Sequence, residues 1–350
     1  MRMSAIRGVE ADFEERILQH VSRSFALTIP QLPRPLRSPV TNAYLLCRII
    51  DTIEDDENLS LDQRRFFLQQ FIQILEGQSS AGEFGDSLVP LLSGRTLPEE
   101  KELIENAPSV IRTTRTFNET QQTAIKRCAA IMAQGMLGFQ ENKGPQGLKD
   151  LSHLDRYCYH VAGAVGEMLT ELFCDFSPDI SKNREKLMAL ASSFGQGLQM
   201  TNIIKDLWED KQRNACWLPQ DIFQRAGYDL RNLSAGTYTE AFGEGLAMLI
   251  GIARDHLRNA LTYTLLIPPR ERGIRKFCLW AIGMALLTLK KINRKRDYTS
   301  GLEVKISRRS VRAIILVTHV TLGSNFLLEK MFGLIAGGLP VAEPLPGNGR

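Results

Sequence analysis

Apolar residues recur at three- and four-residue spacing along most of the chain. The pattern covers 40–57, 61–76, 99–116, 118–141, 150–175, 183–211, 233–265, 271–293 and 308–335. That period gathers apolar side chains on one face of an α-helix. No stretch shows the clean apolar–polar alternation of a half-buried strand. The pattern breaks where Gly, Pro and Ser gather, at 30–35, 77–94, 144–147 and 268–269, and from 337 onward. Ser60 before Leu61, and Ser152 with Asp155 three residues on, read as helix starts. No break is long and polar enough to be a domain linker, and no repeat of 20–50 residues is visible. The expected fold is all-α, a single-domain helical bundle over 1–336 with 337–350 as a loose tail.

Composition narrows the function classes. The 350 residues are 43% hydrophobic and 23% charged, which excludes a disordered, collagen-like or disulfide-framed chain. A net charge of +4 is too small at this length to argue for nucleic acid, so no nucleic-acid partner is expected. Cys47, Cys128, Cys158, Cys174, Cys216 and Cys278 are scattered with no CxxC pair, the usage of reduced intracellular thiols. The N-terminus has early acids and no apolar core, so a signal peptide is not expected. The apolar stretch 313–339 is interrupted by His319, Asn325, Glu329 and Lys330. A spanning helix needs about 20 predominantly apolar residues. The stretch reads as a buried or amphipathic helix, with peripheral membrane contact as the alternative. A cytoplasmic location follows.

The acids are unevenly placed. Asp51, Glu54 and Asp55 fall at i, i+3 and i+4, and so do Asp206, Glu209 and Asp210. Each set continues a polar line on an otherwise apolar helix. Tyr44, Arg48, Asp51 and Asp55 form the first line; Gln199, Asn202, Asp206 and Asp210 form the second. One such set alone reads as a solvated face. Two sets point to a buried polar site in which cations offset clustered carboxylates. Oxygen-only ligands suit Mg2+, which binds a few carboxylates together with substrate phosphates. Ser22-Arg23-Ser24-Phe25 supplies hydroxyls and a guanidinium for phosphate oxygens, or simply ends a helix. Ala162, Gly163 and Gly166 leave room for an apolar ligand or for a neighbouring helix. Tyr157 reads as a proton relay, a cation stabiliser or a core side chain.

These residues carry a resemblance. SRSF at 22–25, YLLCRIIDTIEDD at 44–56, YCYHVAGAVG at 157–166 and QMTNIIKDLWED at 199–210 resemble, in order and separation, the motifs of the squalene/phytoene synthase family. The likeness runs from about residue 20 to about 335. It implies the class I terpenoid synthase bundle with a central cavity. It also implies head-to-head joining of two farnesyl diphosphates through presqualene diphosphate, with Mg2+ held by Asp51, Asp55, Asp206 and Asp210 and supported by Glu54 and Glu209. Ser22, Arg23, Tyr44, Arg48, Gln199 and Asn202 would orient diphosphates. Phe25, Val161, Ala162 and Val165 would meet the prenyl chains, and Tyr157 would serve the first half-reaction. Trp217-Leu218-Pro219, Phe277-Cys278 and Val304-Lys305-Ile306 lean toward members that reduce with NADPH to squalene, placing Lys205, Phe277, Cys278 and Lys305 at the cofactor. Lys205 replaces an Arg common in the second motif, and 163–170 is closer to dehydrosqualene synthases. A dehydrosqualene or phytoene synthase, or a non-catalytic helical member, is the alternative. No GxGxxG opens a helix after a strand, so a Rossmann site is not expected. Lys290, Lys291, Arg294, Lys295 and Arg296 could meet a cofactor phosphate or form a solvated helix end. A monomer is expected, with peripheral membrane contact serving product release.

Overall fold

The structure, a computed structural model, describes residues 2–22, 24–140 and 144–342. Its elements are helices joined by turns, and no strand occurs among the described residues. The chain packs as two compact units, Met1–Asn142 with Glu167–Arg184, and Lys143–Gly166 with Glu185–Arg350.

The first unit holds α1 (Arg2–Val21), α2 (Ser24–Thr28), α3 (Arg34–Asp55), α4 (Leu61–Glu76), α5 (Phe84–Leu88), α6 (Pro98–Glu105), α7 (Ala107–Thr114) and α8 (Glu119–Gln140). Helix α3 is its centre and packs on α1, α4, α6, α7 and α8. Leu45, Leu46, Ile49, Ile50 and Ile53 are completely buried. Each such side chain contributes about 1.5–3 kcal/mol over its exposed state. The helix starts at Arg34, earlier than the pattern's 40, because Pro35 suits a first turn and Pro39 removes only one donor. At α4 the capping box is complete: the Ser60 hydroxyl accepts from Gln63 N, and the Gln63 side-chain Oε1 accepts from Ser60 N. Gly77, at φ 86°, ends this helix, with Gln78 N donating to Gln73 O.

The second unit holds α9 (Leu151–Cys158), the first turn of α10 (Ala164–Phe176), α12 (Arg184–Lys205) beyond its first residue, α13 (Leu207–Gln212), α14 (Gln220–Arg225), α15 (Glu240–Leu266), α16 (Arg272–Arg294), α17 (Gly301–Val304), α18 (Arg308–Thr321) and α19 (Asn325–Ala336). The rest of α10 and the short α11 (Pro178–Ser181) belong to the first unit. Helices α15 and α16 pair along their length, and α18 and α19 lie on them. The cap of α9 is Asp150, whose carboxylate accepts from His153 N, and not Ser152. Asp150 is the better acceptor and precedes the first apolar position, Leu151. A wide π turn, Tyr159–Gly163, interrupts the expected helix 150–175. The expected 308–335 is two helices, because Ser324 caps a new start by accepting from Leu327 N.

All six cysteines are buried with free thiols. Among the described residues no helix is long and apolar enough to cross a membrane. Of the segment from 337 onward, the start packs down: Leu339 is buried and Asn293 Nδ2 donates to Gly338 O. Residues 343–350 lie outside the described residues.

Candidate active site

In the first unit Tyr44, Arg48, Asp51 and Asp55 lie along α3, and Ser22 and Phe25 meet Tyr44. Ser22 Oγ caps α2 by accepting from Phe25 N at 3.0 Å. The Tyr44 hydroxyl donates to Val21 O at 3.0 Å, and the Phe25 and Tyr44 rings lie 4.9 Å apart. Ser22 also bonds the Tyr44 hydroxyl, whose pKa is raised above all by burial. Arg23 lies outside the described residues. One helical turn on, Arg48 Nη2 donates to Glu100, while its buried Nε has no partner. Asp51 follows. Burial pushes its carboxyl up to about 7; Arg48 opposes the rise, and the negative Asp55 and Glu100 add to it. Glu54 is buried at 2% exposure, whereas Asp55 is exposed. The i, i+3, i+4 spacing therefore sends Glu54 inward and leaves Asp51 and Asp55 on the open side.

In the second unit the helix is not continuous through the acids. Helix α12 ends at Lys205 and α13 starts at Leu207, with Asp206 between them at φ −97°, ψ 14°. Lys205 Nζ donates to Asn202 Oδ1 at 3.3 Å and pairs with Asp206 Oδ2 at 3.0 Å. Burial raises the Asp206 pKa, and Lys205 opposes the rise. Glu209 Oε1 accepts from Gly301 N at 2.9 Å and from Ser300 Oγ at 3.3 Å; its Oε2 is buried without a hydrogen-bond partner. Asp210 pairs with Arg213 at 3.4 Å. Tyr298 braces this turn, its hydroxyl donating to Ile204 O while its carbonyl accepts from Trp208 Nε1 at 2.6 Å. Gln199 is half-buried and Asn202 is exposed.

Tyr157 is 6% exposed and stacks on Trp217, ring centroids 4.1 Å apart at an angle of 9°. Val161, Ala162 and Val165 are half-buried along the π turn and the start of α10. The small residues here serve helix packing. A Cβ on Gly195 would lie 2.1 Å from Ala162 O, and one on Gly166 would lie 2.2 Å from Ala191 O. Backbone meets backbone, which leaves no room there for a ligand chain.

The residues expected at NADPH are dispersed in role. Phe277 and Cys278 are buried within α16, the Cys278 thiol pushed up to about 12 by burial. The Lys205 ammonium already serves Asp206 and Asn202. Lys305 is exposed, and its carbonyl accepts from Lys291 Nζ at 2.7 Å. Most of the basic 290–296 cluster is tied to structure: Lys290 donates to Ile335 O, Lys295 pairs with Glu303, and Arg296 donates to Gly243 O. The residues missed by sequence reasoning are Glu100, Tyr298, Ser300 and Gly301. Each reaches its acidic set across a separation of about 50 residues or more.

Among the described residues no group of three or more His, Cys, Asp or Glu is gathered closely enough to hold a metal ion unaided. The donor chemistry still fits Mg2+, which completes its shell with substrate phosphates and water. Asp51 is an under-neutralised carboxylate, and Glu209 Oε2 is a buried oxygen without a donor.

The squalene/phytoene synthase family model matches residues 18–310. The squalene synthase of Gibberella zeae is 31% identical over 296 residues, covering 84% of this chain and 61% of that protein. Among solved structures, a ligand complex of TcSQS superposes with a TM-score of 0.74 at 24% identity, covering 96% of this chain and 94% of that one. A dehydrosqualene synthase complexed with a ligand gives 0.65 at 19% identity, covering 92% and 99%. These likenesses show the all-α terpenoid-synthase fold. The chain spans about three-fifths of the length of the curated relatives it matches.

Proposed function

The chain belongs to the squalene/phytoene synthase family, and from that premise we propose that it acts as a squalene synthase, as a monomer. It joins two farnesyl diphosphates head to head through presqualene diphosphate and reduces the product with NADPH to squalene. The observation that carries this reading is the line Ser22, Tyr44, Arg48 and Asp51, brought together in one unit with an under-neutralised carboxylate at its end.

Asp51, Asp55, Asp206 and Asp210 would hold Mg2+, with Glu54 and Glu209 behind them. The ion supplies positive charge to the departing diphosphate. The chain's own residues do the rest. Arg48, Arg23, Ser22 and Tyr44 orient one diphosphate; Gln199 and Asn202 orient the other, with Lys205 beside them. An allylic cation forms as the first diphosphate leaves. The 2,3 double bond of the second substrate attacks it, and loss of a proton closes the cyclopropane. Tyr157 Oη moves that proton, and Trp217 fixes its ring against tilt. Phe25, Val161, Ala162 and Val165 exclude water, which would otherwise capture the cation.

Of the residues named for NADPH, Lys205 is engaged by Asp206, and Phe277 and Cys278 are buried. The reductive step therefore rests on the similarity to squalene synthases, and no residue is assigned to it. The same observation favours a second reading, a dehydrosqualene synthase. Incubation with farnesyl diphosphate and Mg2+, with and without NADPH, separates the two. Squalene appearing only with NADPH is expected. Dehydrosqualene alone, or a halt at presqualene diphosphate, would overturn the reductive reading.

A further inference from the structure

One short segment, residues 93–100 at the entry to α6, grips α3 at two points. At the end of α3 the buried Asp56 carboxylate accepts from Ser93 N at 2.9 Å and from Thr96 Oγ1 at 2.5 Å. About two helical turns back, Arg48 Nη2 donates to Glu100 Oε1. Asp51 and Asp55 lie between the two grips. The stretch of α3 that carries the polar line is therefore fixed from outside the helix as well as by its own ladder.

The grip at Glu100 needs a reason beyond charge balance. Asp51, one turn on from Arg48, already acts on the same guanidinium as a counter-charge. A further carboxylate beside a group that would bind diphosphate works against that binding. What Glu100 supplies is direction. Its side chain is 10% exposed, and its Oε2 accepts from Leu97 N at 3.3 Å, so the carboxylate is itself held at the start of α6. A guanidinium is a rigid planar fork, and holding Nη2 sets the direction of its other donors. The buried Nε of Arg48 has no partner within the chain. A buried donor is costly to leave unpaired, so this one fits an acceptor oxygen brought by a ligand.

We propose that Glu100 is a positioning residue with two effects on Arg48: it directs the guanidinium toward the substrate diphosphate, and it competes with that diphosphate for the same guanidinium. Direction serves the rate, because a misplaced guanidinium stabilises the departing charge poorly. Competition keeps binding from becoming too tight, so that the product diphosphate can leave. Glu100 touches Arg48 and not the substrate, and it acts only through Arg48. The proposal rests on the reading above in taking diphosphate as the ligand of Arg48, but its first readout is binding, which requires no catalysis.

The test is titration calorimetry of the full chain with inorganic diphosphate in excess Mg2+, set beside turnover of farnesyl diphosphate. Glu100→Gln keeps the size and an acceptor oxygen but removes the charge. It should bind diphosphate about tenfold more tightly, since a like charge is lost beside a partly buried site. Its kcat should fall about 10- to 100-fold as Arg48 loses its direction. KM and kcat then fall together. Loosening of α6 alone would weaken binding, so tighter binding separates positioning from mere support. Glu100→Asp keeps the charge but is one methylene too short to hold Arg48 and Leu97 N together. It should bind diphosphate within about twofold of the unaltered protein and lose turnover as Glu100→Gln does. Circular dichroism checks the fold of both; if Glu100→Gln does not fold, the turnover and binding of Glu100→Asp decide. Unchanged or weaker binding by a folded Glu100→Gln, or normal turnover by Glu100→Asp, would overturn the proposal. Tighter binding by Glu100→Gln in a protein that consumes no farnesyl diphosphate would leave the proposal standing and the functional reading failed. If the unaltered chain does not bind diphosphate, both fail.

Discussion

The two acidic sets share a spacing but differ in how each is held. Asp51, Glu54 and Asp55 sit on an unbroken helix, and Arg48, the guanidinium that acts on Asp51, is itself tied to Glu100. Glu100 thus draws charge away from Asp51, and burial pushes Asp51 up to about 7. Asp206, Glu209 and Asp210 sit at a helix break, and each has its own partner: Lys205, the Gly301 amide and Arg213. Asp51 resembles a carboxylate waiting for positive charge, whereas the second set is shaped in advance by its loop. Identical motifs therefore need not be equivalent; the neighbours decide how much charge is left over.

The hardest test of this contrast removes one carboxylate from each set. Asp51→Asn and Asp206→Asn should each lower turnover of farnesyl diphosphate by about a thousandfold or more, since both would hold Mg2+ against the departing diphosphate. Helix content should not change. A near-normal rate in either variant would break the claim that both sets serve the reaction. Adding Mg2+ should not restore Asp51→Asn, because a ligand oxygen itself has been lost.

A second buried acid of the first unit separates site chemistry from mere burial. Glu14 is 3% exposed, and burial raises its carboxyl to about 7 from 4.5 while Asn42 Nδ2 donates to it at 2.9 Å. It belongs to no proposed site. Between pH 4.5 and 7 the folded protein binds this proton more tightly than the unfolded chain does. Stability from this group is full below 4.5 and is lost as pH rises through about 7. Glu14→Gln keeps the acceptor for Asn42 and removes that slope. Urea melts at pH 5 and pH 8 should show the variant gaining up to about 3 kcal/mol more at the higher pH, at about 1.4 kcal/mol per pKa unit. Turnover at pH 7 should be unchanged, whereas Asp51→Asn loses it. An equal gain at both pH values would show that Glu14 stays neutral throughout.

Much of this was legible in the sequence, and the rest was hidden for definite reasons. Helical period placed α4, α8, α15 and α16 within a few residues, apart from the start of α15, because each buries one apolar stripe over many turns. The polar line of α3 was readable because Tyr44, Arg48, Asp51 and Asp55 lie on one local repeat. The break at Asp206 was not, since Asp206 N still donates to Asn202 O and the apolar period runs on through Leu207. Helices α1 and α2 precede the first expected helix, and their apolar spacing is less regular. Glu100 looked like an ordinary first-turn acid, with its carboxylate accepting from Leu97 N. Nothing local in Tyr298 or Gly301 reveals that they brace residues about 90 positions earlier.

The smallest expected effect sharpens the contrast most, because it touches only the loop that shapes the second set. A Cβ on Gly301 would lie 3.0 Å from Lys205 O, 3.1 Å from Asp206 Oδ1 and 3.3 Å from Glu209 Oε1. Gly301→Ala must therefore move the loop by a few tenths of an ångström, and the bond from Gly301 N to Glu209 lengthens with it. In the proposed reading Glu209 would stand behind the Mg2+ carboxylates, and loss of such an outer partner lowers metal affinity by about 10- to 100-fold. Gly301→Ala should raise the Mg2+ concentration for half-maximal rate by about tenfold, while the rate at saturating Mg2+ falls little. Ser300→Ala removes only the longer 3.3 Å bond to the same oxygen and should shift that concentration by about threefold or less. A loss of rate that saturating Mg2+ does not recover would mean that the loop shapes the reacting groups directly. No shift in either variant would mean that the second set, like the first, takes its order from the bound ion and substrate.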